Sequence, residues 1–377
     1  MIVARLPAPL FGALLLSLAP LTGCATSGDG VVRELWRVDL DHRSPQSAYG
    51  YSLPANANGL LVAAGQDARV HFFDRSGREV RRIAIEAASE SGALTLRGGT
   101  VVVGDIKGNL YGIDPVAGTR LWRTKLDSIF LGTPQPIGND FLIQTIDSRI
   151  YRIGENGEKR WSYTGPLGGM TMHVGSSPQV ADGRIYALFG NGDLVALNGD
   201  NGDLLWRRQL ILDASATVLS ELRTAVADPL LLSGFAYEGR ESMPVLIAPI
   251  YQGEMLAASA ADGSRVAAWN LSLKSAPLLH GATLYAADSN GALAAIDAKS
   301  GQLLWKKTVA ANVELNGPVE HGGALWLGAA DGTLFKIDFE GKVLGTAKVE
   351  GQIDRAPLAT PDGLVVRDHL GTLYLFQ

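Results

Sequence analysis

Cysteine is almost missing from this chain: Cys24 is the only one among 377 residues, so no disulfide can form within it. An excess of basic charge is also missing. The 33 Lys and Arg against 38 Asp and Glu leave a net charge of −5, and with no basic cluster a nucleic-acid partner is set aside. Six histidines, His42, His71, His173, His280, His321 and His369, fall at no metal-ligand spacing, so no metal site is read from them. No Gly-rich phosphate loop joins a strand to a helix and no Gly-x-Ser-x-Gly elbow occurs, which leaves nucleotide binding and triad hydrolysis without support. Asn198, Asp200, Asn201 and Asp203 have the look of a calcium loop, but the distant bidentate Glu is absent and a repeated turn accounts for them. Beyond the first two dozen residues, no stretch stays apolar and turn-free for the about 20 residues of a membrane span.

What the chain does have begins with a leader. Arg5 precedes an apolar run from Leu6 to Pro20 that contains Leu14, Leu15, Leu16 and Leu18, the pattern of a signal peptide. The run closes on Leu21, Thr22, Gly23 and Cys24, which resembles the lipobox of bacterial lipoproteins. That resemblance implies removal of residues 1–23, lipidation of Cys24 and a lipidated tether over 24–33. Ala25 stands where lipoproteins kept in the inner membrane carry Asp, so the implied location is the outer membrane, facing the periplasm. Several acyl chains would anchor stably where one alone is marginal.

The remainder, 34–377, is built from one repeat. With 46% hydrophobic residues it can bury a large core, and 45 glycines against 17 prolines point to many tight turns between short strands. Gly112, Ile113, Asp114, Gly118 and Trp122 recur as Ala196, Leu197, Asn198, Gly202 and Trp206, and again as Ala295, Ile296, Asp297, Gly301 and Trp305. Weaker copies place the turn glycine at Gly77, Gly157, Gly263 and Gly341. The spacing is about 40 residues, one four-stranded propeller blade each, apart from a longer interval between Gly202 and Gly263. Hairpin signals such as Asn191-Gly192, Asn290-Gly291 and Asp331-Gly332 recur within the units. Small residues before proline, as in Ser177-Pro178, Ala276-Pro277 and Ala356-Pro357, open them. Strand-ending segments from Phe73 to Tyr374 number the units at eight.

The expected fold is therefore all-β: an eight-bladed propeller of four-stranded antiparallel blades. The last unit lacks an outer strand because the chain stops at Gln377, while Glu34 to Leu40 reads like the orphan strand that would complete it. The ring is expected to close through that N-terminal strand, which removes the open edges of a linear array. In each repeat the Asp or Asn caps a turn, the glycine turns left-handed, and the tryptophan packs on the next blade.

This small-Asp-Gly-Trp repeat resembles the docking motif of quinoprotein-like propellers. Joined to the lipobox and the eight blades, it is similar to the BamB family of the outer-membrane barrel-assembly machinery. The resemblance implies a non-enzymatic scaffold without cofactor that binds the periplasmic domains of a BamA-like pore protein. It also implies help for unfolded outer-membrane clients, which exposed strand edges could take up by β-augmentation. Contacts would come from two segments. Met170, Met172 and His173, before Ser177-Pro178, match one family loop, with His173 in place of its Arg. Leu222, Arg223 and Asp228 match the other, with one Asp where the family has two.

Three other readings stay open on these residues: a scaffold of another envelope complex, a carbohydrate-binding propeller, and a quinone-dependent periplasmic dehydrogenase. Leu210 to Ala225 is apolar, consistent with a packed strand or helix or with a protruding contact loop, and Glu238 to Ser242 forms a polar excursion.

Overall fold

The computed structural model describes residues 31–40, 54–57, 59–166, 175–211 and 224–377. Within them lie 32 strands, numbered in chain order from β1 (Glu34–Asp39) to β32 (Thr372–Phe376). They form eight four-stranded antiparallel sheets. Blade 1 is β2 (Ala55–Ala57), β3 (Leu60–Ala64), β4 (Arg69–Phe73) and β5 (Glu79–Ala84), and the next six blades follow in the same order.

Burial explains the sequence pattern of the strands. The two middle strands of a blade touch blades on both sides, so Leu142 to Gln144 or Arg184 to Leu188 reads as a run of β-formers with hardly any alternation. Outer strands such as β9 (Thr119–Lys125) show one face to water and alternate. The core is correspondingly divided, because each buried apolar cluster spans two neighbouring blades. Val62 and Phe72 of blade 1 pack with Val103 and Tyr111 of blade 2, and Leu61 and Phe73 pack with Val365 and Leu375 across the closure. Stability thus resides in interfaces between blades, and an open ring would expose two of their faces.

The closure is made as expected. Strand β1 adds to β32 in the sheet order β1-β32-β31-β30, where β30 is Leu358–Thr360 and β31 is Gly363–Arg367. Trp36 lies opposite Leu375 and Asp39 opposite Thr372. Arg33 and Gln377 exchange both backbone hydrogen bonds, at 2.9 and 3.0 Å.

One irregularity repeats in every blade. The outermost strand carries a bulge next to the residue that docks on the following blade, which is Trp122, Trp161, Trp206, Trp305 or Trp36. Each ring lies flat on the turn glycine of the next blade. A methyl group added to Gly157, Gly202 or Gly77 would sit 2.6 Å from Trp122, Trp161 or Trp36. The Trp122 Nε1–H donates to Glu155 O at 2.9 Å and that of Trp36 to Arg75 O at 3.1 Å. The capping acid behaves as read from sequence: Asp114 Oδ1 accepts the N–H groups of Val116 and Ala117, and Asn198 Oδ1 that of Asp200 at 2.8 Å.

Three blades place something else at the bulge. Arg81 takes the position in blade 1, and its guanidinium donates to the Pro115 and Val116 carbonyls above Gly118. Ala267 takes it in blade 5, where Phe235 and Tyr237 reach over to cover Gly301 instead. Those two rings come from the hairpin after β18 (Leu230–Phe235), so the polar excursion Glu238 to Ser242 belongs to a hairpin that also serves as docking platform. Gly345 takes it in blade 7, because blade 8, assembled from both chain ends, has no turn for a ring to dock on.

Candidate functional site

The strand order gives the ring two unlike faces. One carries the docking turns and the hairpins between the first and second strands. The other carries the connections from each outer strand to the next blade's innermost strand, together with the hairpins between second and third strands. On this connection face each crossing segment is bonded to the hairpin beneath it: Ile106 N to Ala88 O at 2.9 Å, Ile146 N to Ile129 O at 3.0 Å, Ser289 N to Ser272 O at 2.8 Å.

Both contact segments expected from sequence belong to such connections. One joins β13 (Lys159–Thr164) to β14 (Gln179–Ala181), and the other joins β17 (Leu204–Gln209) to β18. Met170, Met172, His173, Leu222 and Arg223 lie outside the described residues, as does Cys24. The ends of the segments are well fixed. Leu210, Ile211 and Ala225 pack into the core between blades 4 and 5, and Thr224 exchanges backbone hydrogen bonds with Tyr251 at 2.9 and 3.2 Å. Of Leu210 to Ala225 these ends are packed, and residues 212–223 lie outside the described residues.

Asp228 is the one expected contact residue that is described. It stands where each innermost strand begins, at the mouth of a central cavity of about 490 Å³ lined also by Ser177, Lys274, Asn316, Asp354 and Arg355. The carboxylate keeps a little exposure to this lumen while protein encloses it on every side, and that desolvation pushes its pKa from 3.8 up to about 6. The Ser177 N–H, donated to Oδ1 at 2.6 Å, and the Arg355 charge oppose the rise without cancelling it.

Neighbouring lumen positions are stitched to one another. Ser177 Oγ accepts the Thr133 N–H at 3.0 Å, Ser275 Oγ–H donates to Gly317 O at 2.6 Å, and Asn316 Nδ2–H donates to Ile353 O at 2.9 Å. Lys274 pairs with Glu314 at 2.7 Å, and the same carboxylate accepts the Tyr251 hydroxyl at 2.6 Å. Burial, followed by that bond to Glu314, raises the Tyr251 pKa.

The lumen was only half visible in the sequence. The residues before the repeated prolines, Thr133, Ser177, Asp228, Ala276, Gly317 and Ala356, mark where blades begin, and Asp228 alone among them ionises. That oddity is the signal for a charged lumen, which pairwise reading of the loops overlooked. His280 and His321 each end a strand at a hairpin. His280 is exposed and stacks on Phe339 with ring centres 4.2 Å apart, and the His321 carbonyl accepts the Trp326 Nε1–H at 3.0 Å. Among the described residues no three His, Cys, Asp or Glu side chains converge, and no helix is long and apolar enough to cross a membrane.

A family model described as outer membrane protein assembly factor BamB matches residues 66–307 and 290–376. Relatives bearing that name include one from Bordetella pertussis, 26% identical over 92% of this chain and 87% of its own length, and one from Escherichia coli, 24% identical over 96% of both. Among solved structures, BamB from Moraxella catarrhalis superposes with a TM-score of 0.77 at 19% identity, covering 92% of this chain and all of that one. A quinohemoprotein alcohol dehydrogenase from Comamonas testosteroni gives 0.70 at 14% identity, covering 92% of this chain and 76% of its own. At these identities the structural likeness speaks for the fold alone.

Proposed function

Because the chain belongs to the family of outer membrane protein assembly factor BamB, we propose that it is a non-enzymatic scaffold of the outer-membrane protein assembly machinery. What carries this reading is the family match running from residue 66 to 376, through every docking turn from Gly77 to Gly341. The fold shared with the quinohemoprotein dehydrogenase conveys architecture and no chemistry.

In this reading residues 1–23 are a signal peptide, Cys24 carries the lipid that holds the protein at the periplasmic side of the outer membrane, and 24–33 is the tether. The partner is the periplasmic part of a BamA-like pore protein, taken up on the connection face by Met170, Met172 and His173 from one connection and Leu222, Arg223 and Asp228 from the next. Supporting this is the pinning of both connections to one rigid place. The Asp228 to Ser177 bond joins the chain just after each connection, so their C-terminal ends are held together. Asp228 contributes by position, from the rim of the lumen, rather than as an exposed tip. Unfolded outer-membrane chains are the proposed clients.

Capture from detergent-solubilised envelopes tests the reading. The lipidated chain should retain the pore protein, and Arg223→Glu should retain less. Equal capture by both would remove the second connection as a contact, and absence of the pore protein from both would remove the scaffold reading.

A further inference from the structure

We propose that the outer strand of blade 7, β29 (Val343–Lys348), is the strand edge on which an extended client segment is received. The inference rests on the scaffold reading above and adds the place where clients bind.

Among the described residues each of the eight outer strands has a strand neighbour on its inner side alone, which leaves eight sheet edges facing outward. Proteins keep such edges from recruiting strange strands by placing Lys or Arg on them. Five of the eight are guarded along their middle, by Arg37, Arg82, Arg123, Arg208 and Lys307 among others, and β13 opens with Lys159 and Arg160 before the four uncharged residues that include the docking Trp161. In blade 5, β21 (Arg265–Trp269) opens with Arg265 and buries Ala267 in one cluster with Phe235.

Only β29 runs for five residues, Val343 to Ala347, with neither charge nor proline. Its terminal Lys348 turns back on its own blade, donating to Thr333 Oγ1 at 3.0 Å and lying 3.4 Å from Asp331. The middle of the strand is Gly345, where five other blades hold a docking tryptophan. Its hydrogen-bonded partner is β28 (Thr333–Ile337), on the inner side alone.

These features select the occupant. A row of peptide groups at strand pitch is complementary to another extended strand and to little else. Val343 at 41% exposure and the exposed Thr346 stand on the open side, while the small Gly345 and the half-buried Ala347, which packs on the core between blades 7 and 8, keep the edge low in relief for large side chains of an incoming segment. The uncharged stretch admits a strand of alternating apolar and small polar residues, the pattern of membrane-crossing barrel strands. Lys342 and Lys348 bound the track at both ends.

The experiment uses the full chain in detergent and a capped synthetic peptide of about ten residues alternating Leu or Val with Thr, the length of a barrel strand. Amide hydrogen exchange should slow in β29 on adding peptide, and nowhere else among the outer strands. Thr346→Lys and Val343→Lys, both at exposed positions, should weaken peptide binding by about tenfold or more, whereas Leu304→Lys on β25 (Leu303–Thr308) should leave it within about twofold. Protection spread over all edges, equal effects of the three variants, or absence of peptide binding overturns the inference. So does a self-association of the chain that Thr346→Lys abolishes, since the edge would then belong to a second copy. Pore-protein capture is measured on the same variants. If the unmodified chain captures the pore protein but binds no peptide, the edge alone is sunk, and if it captures no pore protein the scaffold reading is sunk.

Discussion

The carboxylate of Asp228 accepts the backbone N–H of Ser177 at 2.6 Å, and that bond ties the start of blade 5 to the start of blade 4. Around it the lumen holds Arg355, Asp354 and the Lys274 to Glu314 pair, so the group is enclosed by charges of both signs. Its environment is nonetheless governed by desolvation, which is what raises its pKa.

A pH dependence follows from that rise. A carboxyl with a pKa of 3.8 unfolded and about 6 folded binds more protons in the native state between those values. Stability therefore falls as pH climbs through that window, and a cost of roughly 2 to 3 kcal/mol is in full force above it. Asp228→Asn keeps an oxygen for Ser177 and removes the charge. Loss of the attraction to Arg355 offsets part of the gain, so the variant should be about 1 kcal/mol more stable near neutral pH and should lose the slope on the acid side. Urea midpoints taken across the range check it, and an unchanged slope would assign the titration to another group.

The seal of the ring depends on Trp36 lying against Gly77. The glycine has φ of +79°, and any β-carbon there would meet the ring at 2.6 Å. Gly77→Ala should cost about 1 to 3 kcal/mol and Trp36→Ala about 2 to 4 kcal/mol. Removing the ring makes room for the methyl group, so the double variant should cost about 1 kcal/mol less than the sum. Strict additivity in denaturant unfolding would mean that the two do not bear on each other.

Arg81 offers a substitution that sequence comparison between blades suggests by itself. It holds the Pro115 and Val116 carbonyls where five blades use an indole. Arg81→Ala should lose about 1 to 3 kcal/mol through the orphaned carbonyls, and Arg81→Trp should recover most of it by lying on Gly118. Thermal midpoints of the three proteins decide; a tryptophan no better than alanine would show that this interface is not equivalent to the others.

The eight units, the caps Asp114 and Asn198, and the seal by Trp36 could all be read from the sequence because each rests on a local rule: turn chemistry, left-handed glycine, strand patterning. What could not be read rests on relations between blades. Ala267 looks like a lost motif until Phe235 and Tyr237 are seen to arrive from a hairpin more than twenty residues earlier. Gly345 looks like decay until its neighbour proves to have no turn. Asp228 read as a loop acid because residues preceding a short strand look like loop whether they reach solvent or a lumen.

Gly345 also provides the strictest test of this account of the ring. Arg33 and Gln377 already exchange two backbone hydrogen bonds, so the termini of the propeller lie where a docking turn would otherwise connect them. Joining Phe376 to Arg33 through a linker of Asp, three residues and Gly, which restores the three residues between turn glycine and tryptophan, should build the missing eighth turn, with new ends opened at the exposed Ala311 and Asn312. In that permuted protein Gly345→Trp gains a glycine to lie on and should stabilise by about 1 to 2 kcal/mol. In the natural connectivity the same substitution has no turn beneath it and should be neutral or slightly destabilising. Unfolding midpoints of the four proteins form a closed cycle. If tryptophan helps equally in both, docking on a left-handed turn glycine is not what selects the aromatic residue at the bulge, and the absence of one in blade 7 needs another cause.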